Sequence, residues 1–171
     1  MKHKFSIIYS WFVRILLFFF PNVPIIMRFR GWAYSLFMNE CGKNFQVASD
    51  VYIGSLSRLI VGDDVYIAPS NVIIALDLTI EDEVIIGPNC VISAGNHQFD
   101  RKSFRFRKSS RGKVLIEKGS WVAGNCTIVS GSKLPAGSIL AAGAVLNKPF
   151  NQERSIYAGV PAKLLKSIVT S

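Results

Sequence analysis

The chain is expected to fold as an all-β repeat, a parallel β-helix, and three observations predict it. Between Ile116 and Leu146 apolar residues recur every six positions, at Ile116, Val122, Ile128, Leu134, Leu140 and Leu146. Neither a helical period of 3.6 nor a strand period of 2 holds that phase, whereas a coil of short flat faces repeats every six residues. The fourth residue after each of the first five is small: Ser120, Cys126, Ser132, Ser138 and Ala144. Where three faces converge at a corner, an inward position must be small. The same phase returns at Ile80, Ile86 and Ile92, at Val61, Ile67 and Ile73, and less regularly at Val47 and Ile53.

Slips of seven residues (Ile73 to Ile80) and eight (Ile53 to Val61) read as bulges at corners. The step from Ile92 to Ile116 spans 24 residues. After one hexapeptide is taken out, about 18 residues are looped out of the wall, and a loop of that length inside a compact repeat is usually functional. This segment, 93–115, carries seven of the chain's twenty Lys and Arg residues and His97, the one histidine beyond the N-terminal tail. A histidine where the chain leaves the wall reads as functional more readily than one elsewhere, although a structural role is open to it.

The 171 residues suit one domain with an appendage. The net charge of +9 points to an anionic partner such as a membrane surface or a phosphorylated small molecule. Nucleic acid is set aside, because the basic loop has no recognition module around it. Of the three cysteines, Cys90 and Cys126 occupy small inward positions, as expected of buried thiols in a reducing compartment. No CxxC or Cys/His cluster exists, so no metal is expected.

Residues 1–30 form the first unit. Met1 to Phe20 opens on Lys2, His3 and Lys4 and continues as an aromatic-rich run with Arg14 inside it. The run falls short of the roughly 20 residues a bilayer span needs and lacks a small-x-small cleavage site. An interfacial helix fits it, with Arg28 and Arg30 beyond the prolines; packing on the β-helix or on a neighbouring chain is the rival reading. Residues 31–45 read as a short helix stopping at Gly42 that caps the first coil, since an open coil end exposes unpaired backbone. Residues 46–150 form the β-helix. Residues 151–171 close its other end with a capping helix starting at Pro161, which puts Lys163 and Lys166 on one face.

The chain resembles the hexapeptide-repeat acyltransferases over roughly Asn44 to Lys166. The resemblance rests on Ile86-Gly-Pro-Asn-Cys-Val-Ile-Ser-Ala-Gly-Asn-His97, Trp121-Val-Ala-Gly-Asn125, Ala141-Ala-Gly-Ala-Val-Leu-Asn-Lys148 and Gly159-Val-Pro-Ala-Lys163. It is most similar to bacterial sugar and polysaccharide O-acetyltransferases, including the galactoside, maltose and colanic acid enzymes. The resemblance implies a left-handed parallel β-helix, where the usual handedness of crossovers would have implied a right-handed one. It implies acetyl-CoA as co-substrate and a homotrimer with active sites between subunits. His97 matches the family's general base, which removes the acceptor hydroxyl proton as oxygen attacks the thioester, so no acyl-enzyme is required. Asp77 and Trp121 match acceptor-side positions. Ala123, Gly124 and Ala142 match backbone beside the pantetheine arm, and Asn147, Lys148, Lys163 and Lys166 match positions at the cofactor's phosphate and adenosine end.

The sequence-based expectation is therefore an acetyl-CoA-dependent O-acetyltransferase acting on a sugar hydroxyl of an envelope glycan or its precursor. Its expected place is cytoplasmic, peripheral at the inner face of the plasma membrane. An N-acetyltransferase on the same scaffold and a β-helix without chemistry are the competing readings. The Arg/Lys-rich loop departs from the acidic, proline-containing loop common in the sugar enzymes, which points to an anionic or lipid-linked acceptor.

Overall fold

The computed structural model describes residues 2–74, 77–106 and 110–168. Two helices come first, α1 (Lys2–Leu17) and α2 (Pro24–Ser35), and the β-helix follows. One face stacks β1 (Glu40–Cys41), β4 (Leu59–Val61), β7 (Leu78–Ile80), β12 (Val114–Ile116) and β15 (Lys133–Leu134). The second stacks β2 (Gln46–Val47), β5 (Tyr66–Ile67), β8 (Ile85–Ile86), β13 (Trp121–Val122) and β16 (Ile139–Leu140), then β18 (Ser155–Ala158) and β19 (Lys163–Ser167). The third stacks β3 (Tyr52–Ile53), β6 (Val72–Ile73), β9 (Val91–Ser93), β14 (Thr127–Val129) and β17 (Val145–Leu146). Outside the wall, β10 (Gly95–Asn96) and β11 (Ser110–Arg111) form an antiparallel stem.

Parallel pairing aligns the six-residue repeat into inward columns. Ile67, Ile86, Val122 and Leu140 lie in register on the second face. Ile73, Ile92, Ile128 and Leu146 do so on the third, and Val61, Ile80, Ile116 and Leu134 on the first. All twelve are at most 2% exposed, and burying each aliphatic side chain is worth roughly 1.5–3 kcal/mol. A slip of one residue would turn a whole column outward, so the pattern sets the register. Across the 24-residue interruption Ile116 still lands on Ile80, which means the excursion leaves and re-enters without disturbing the stack.

The small corner residues also bond. Ser120 Oγ donates to the Pro135 carbonyl at 2.8 Å, Cys126 Sγ to Ala141 at 3.1 Å and Ser132 Oγ to Leu146 at 2.8 Å. Each ties its corner to the next coil, a role that room alone would not require. Asn71 does the same from a buried position: its amide donates to the Ala68 and Gly87 carbonyls and accepts from the Cys90 N–H. The residue three before the inward one has positive φ at Asn44, Asp64, Ser70, Glu83, Asn89, Gly119, Asn125, Gly131, Gly137 and Gly143, all but Glu83 being glycine or a short polar residue. Glycine and short polar side chains tolerate that conformation best.

Three expectations need correction. The capping helix begins at Pro24 rather than Gly31 and ends at Ser35, while Glu40–Cys41 already belongs to the first face. Gly31 is a seat, not a start: a Cβ there would lie 2.0 Å from the Phe45 carbonyl oxygen. The C-terminal helix is instead the strand β19, antiparallel to β18. The exposed edge of β18 offers a row of backbone partners that outweighs the modest helix propensity of Lys-Leu-Leu-Lys. Asn96, four residues after the inward Ile92, does not turn inward as the small corner residues do but is exposed on the excursion's stem.

Arg30, expected beside the interfacial helix, is instead fully buried beneath the cap. Its guanidinium donates to the Val47 carbonyl of the first coil at 2.6 Å and to Leu17 and Phe20 at the end of α1 at 3.2 and 3.1 Å. One side chain thus satisfies helix-end and coil-end acceptors together. Burial lowers its pKa, while Tyr34 and Asp50 oppose that change.

Candidate active site

The chain leaves the wall at the edge between the third and first faces. Ala94 is buried, β10 and β11 pair as the stem, and the Gly112 N–H closes it on the Ala94 carbonyl at 3.1 Å. His97 follows β10 directly, exposed, with no hydrogen bond to other described residues. Beyond it Asp100 shapes the turn, accepting from the N–H groups of Lys102 at 2.9 Å and Ser103 at 2.7 Å. The bonds from Ser103 and Lys102 hold its carboxyl below its ordinary range. The Asp-x-x-Ser spacing is an Asx-turn signal legible in the sequence. Phe99 and Phe104 pack with ring centroids 5.2 Å apart. Arg107 and Lys108, counted in the basic loop, lie outside the described residues.

Asp77 occupies the same edge one coil earlier, where its carbonyl accepts from the Val114 N–H that restarts the wall. Its carboxylate pairs with Arg58 at 3.2 Å, a residue that no local sequence pattern singles out. Both line a cavity of about 280 Å³ with Thr79 and Lys113. Asn147 and Lys148 also fall on this edge, after β17, and Lys148 Nζ stands 5.3 Å from the Phe150 ring centre.

The other predicted residues lie elsewhere. Trp121 points outward from the second face beside Ile85 and Ile139, half exposed. Ala123, Gly124 and Ala142 form the edge between the second and third faces, where the Gly143 N–H bonds the Gly124 carbonyl at 3.0 Å. Among the described residues the N–H groups of Gly124 and Ala142 donate to nothing, so this edge offers free donors beside small side chains. Behind it Cys90 and Cys126 are buried; the neighbouring Cys126 thiol and burial push the Cys90 thiol well up, and Cys90 Sγ donates to the Ala123 carbonyl at 3.1 Å.

Lys163 and Lys166 are both exposed on β19. Three residues apart on a regular strand they would face opposite ways. A register shift leaves Leu165 unpaired and sets Lys163 against Ala158 and Lys166 against Ile156, two positions on one side of β18. They share a face, as expected, through a bulge rather than a helical turn.

Within one chain the predicted residues therefore fall on two edges of the prism and on its second face, where Trp121, Lys163 and Lys166 lie. His97 and Asp77 share one edge, and Ala123, Gly124 and Ala142 share the other.

No protein-family model matches the chain. A Saccharomyces cerevisiae protein named as an acetyltransferase, YJL218W, is 27% identical over 132 residues, covering 77% of this chain and 67% of that protein. The galactoside O-acetyltransferase of Escherichia coli is 26% identical over 129 residues, covering 74% of this chain and 63% of that one. The crystal structure of a hexapeptide-repeat acetyltransferase from Vibrio cholerae, complexed with acetyl-CoA, superposes with a TM-score of 0.82 at 21% identity over 98% of this chain and 89% of that chain. The likeness bears out the left-handed parallel β-helix.

Proposed function

We propose that this chain, a hexapeptide-repeat protein whose relatives are acetyltransferases, transfers acetyl from acetyl-CoA to a sugar hydroxyl of an envelope glycan or its precursor. The observation that carries the reading is the excursion itself. Among the described residues the wall opens between β9 and β12 on a paired stem, which sets an accessible imidazole at the opening.

In this reading a ring nitrogen of His97 takes the acceptor hydroxyl proton as oxygen attacks the thioester carbonyl. The C–S bond breaks, and the same proton passes to the departing CoA sulfur. Asp77 and Trp121 hold the acceptor. The free N–H donors of Gly124 and Ala142, with Ala123, suit the amides of a pantetheine arm, and Asn147, Lys148, Lys163 and Lys166 meet the phosphate and adenosine end. His97 and Asp77 lie on one edge and Ala123, Gly124 and Ala142 on another, so the site would be completed between copies in a homotrimer. The reaction is placed at the cytoplasmic face of a membrane, where CoA thioesters meet a membrane-held acceptor.

Thiol release from acetyl-CoA in the presence of candidate glycans tests the reading. His97→Ala is expected to slow acceptor-dependent release about 10²- to 10⁴-fold. Equal release by wild type and variant would remove His97 as the base, and acetylation of amino sugars alone would move the reaction from oxygen to nitrogen.

A further inference from the structure

We infer that the outward face of α1 and α2 docks on an anionic lipid bilayer. The inference deepens the membrane placement proposed above and uses none of the residues assigned to acetyl transfer.

The first helix is built inside out. Its buried side carries Ser6, Ser10 and Val13, spaced at i, i+4 and i+7 along one face. The serines serve the coil end: Ser10 Oγ donates to the Ile53 carbonyl, Ser6 Oγ lies 3.2 Å from Ser55 Oγ, and His3 Nδ1 lies 2.9 Å from that same oxygen. The polar stripe thus covers backbone left open by the first coil, which forces the apolar residues outward. Phe5, Ile8, Trp11, Phe12, Ile15 and Phe19 are exposed, Phe19 by 90%.

The second helix repeats the arrangement. Met27, Arg30, Gly31 and Tyr34 face the coil, while Ile25, Phe29 and Trp32 face away from it. Large apolar side chains grouped on the exposed faces of two adjoining helices mark a docking site.

Charge selects the occupant. No acidic residue precedes Glu40 in the sequence. Lys4 and Arg28 are exposed on these helices without a counter-charge there, and Arg14 lies over the Tyr52 ring at 5.7 Å. A second copy docked across a twofold axis would set this basic face against itself. An anionic headgroup layer answers both the cations and the aromatic residues, which favour the boundary of headgroup and acyl chain. At 16 residues α1 is about 24 Å long, and no helix among the described residues is long and apolar enough to cross a membrane. Lying flat on the surface is the geometry left to it.

The full chain is tested by sedimentation with vesicles of phosphatidylcholine, with or without phosphatidylglycerol, while Trp fluorescence is followed. Wild type is expected on the anionic vesicles, with a blue-shifted emission and loss of binding at high salt. Lys4→Glu with Arg28→Glu is expected to weaken binding at least about tenfold, and Trp11→Ser with Phe12→Ser to abolish it, both with unchanged thermal transitions. Thiol release on a soluble acceptor is expected to be unchanged in both variants, which separates this proposal from the catalytic one. Equal binding to neutral vesicles, absence of binding, or lipid-free self-association that Trp11→Ser abolishes would each overturn it.

Discussion

Tyr34 is sealed beneath α2 with its hydroxyl unpaired among the described residues. Burial pushes its pKa from 10.0 up to about 12, against the opposing pull of Arg30 and Arg14. The folded chain then keeps this proton at a pH where the unfolded chain has released it. Its contribution is whole below pH 10 and is lost as pH rises toward the folded value, on the order of 2–3 kcal/mol in all. Tyr34→Phe removes both the orphaned hydroxyl and that loss. Thermal melts followed from neutral to strongly alkaline pH are expected to fall less steeply for the variant, and parallel curves would refute the account. The buried cysteines belong to the same scale. Cys126 was readable as small, but its bond to the Ala141 carbonyl was not, because that partner belongs to the next coil.

Among the elements, α2 shows how a contact overrides propensity. Replacing glycine by alanine inside a helix normally gains up to about 1 kcal/mol. At Gly31 the added methyl would meet the Phe45 carbonyl oxygen at 2.0 Å, and displacing backbone of the first coil costs more than propensity returns. Gly31→Ala is expected to lower stability by about 1–3 kcal/mol, read from the urea midpoint; an unchanged or raised midpoint would show that α2 does not rest there. The wall was legible in sequence because each hexapeptide carries its own inward residue, and the predicted columns match the observed registers from Val61 to Leu146. The C-terminal strand was not. Lys163 to Ser167 has a helical spacing of leucines and lysines, and nothing local records that the edge of β18 is waiting for it.

For the whole molecule, the division of predicted residues between two edges makes assembly a catalytic question. If His97 of one copy serves the Ala123–Ala142 edge of the next, two inactive variants can complement each other. His97→Ala and Ala142→Trp, each inactive alone, are expected to recover about a quarter of wild-type activity when co-expressed, since a working site needs the intact half of each. Absence of recovery, with mixed oligomers demonstrated, would confine the site to one chain. The sequence by itself determined the coil, its period, the point of interruption and the histidine placed there. Those features follow from local units, each stating which side chain faces in. Only the tertiary structure decided that α1 turns its serines inward, that Arg30 is buried, and that the chain ends as a strand. The reason is that the acceptors and edges these segments satisfy exist only after the coils have stacked, so no local pattern could announce them.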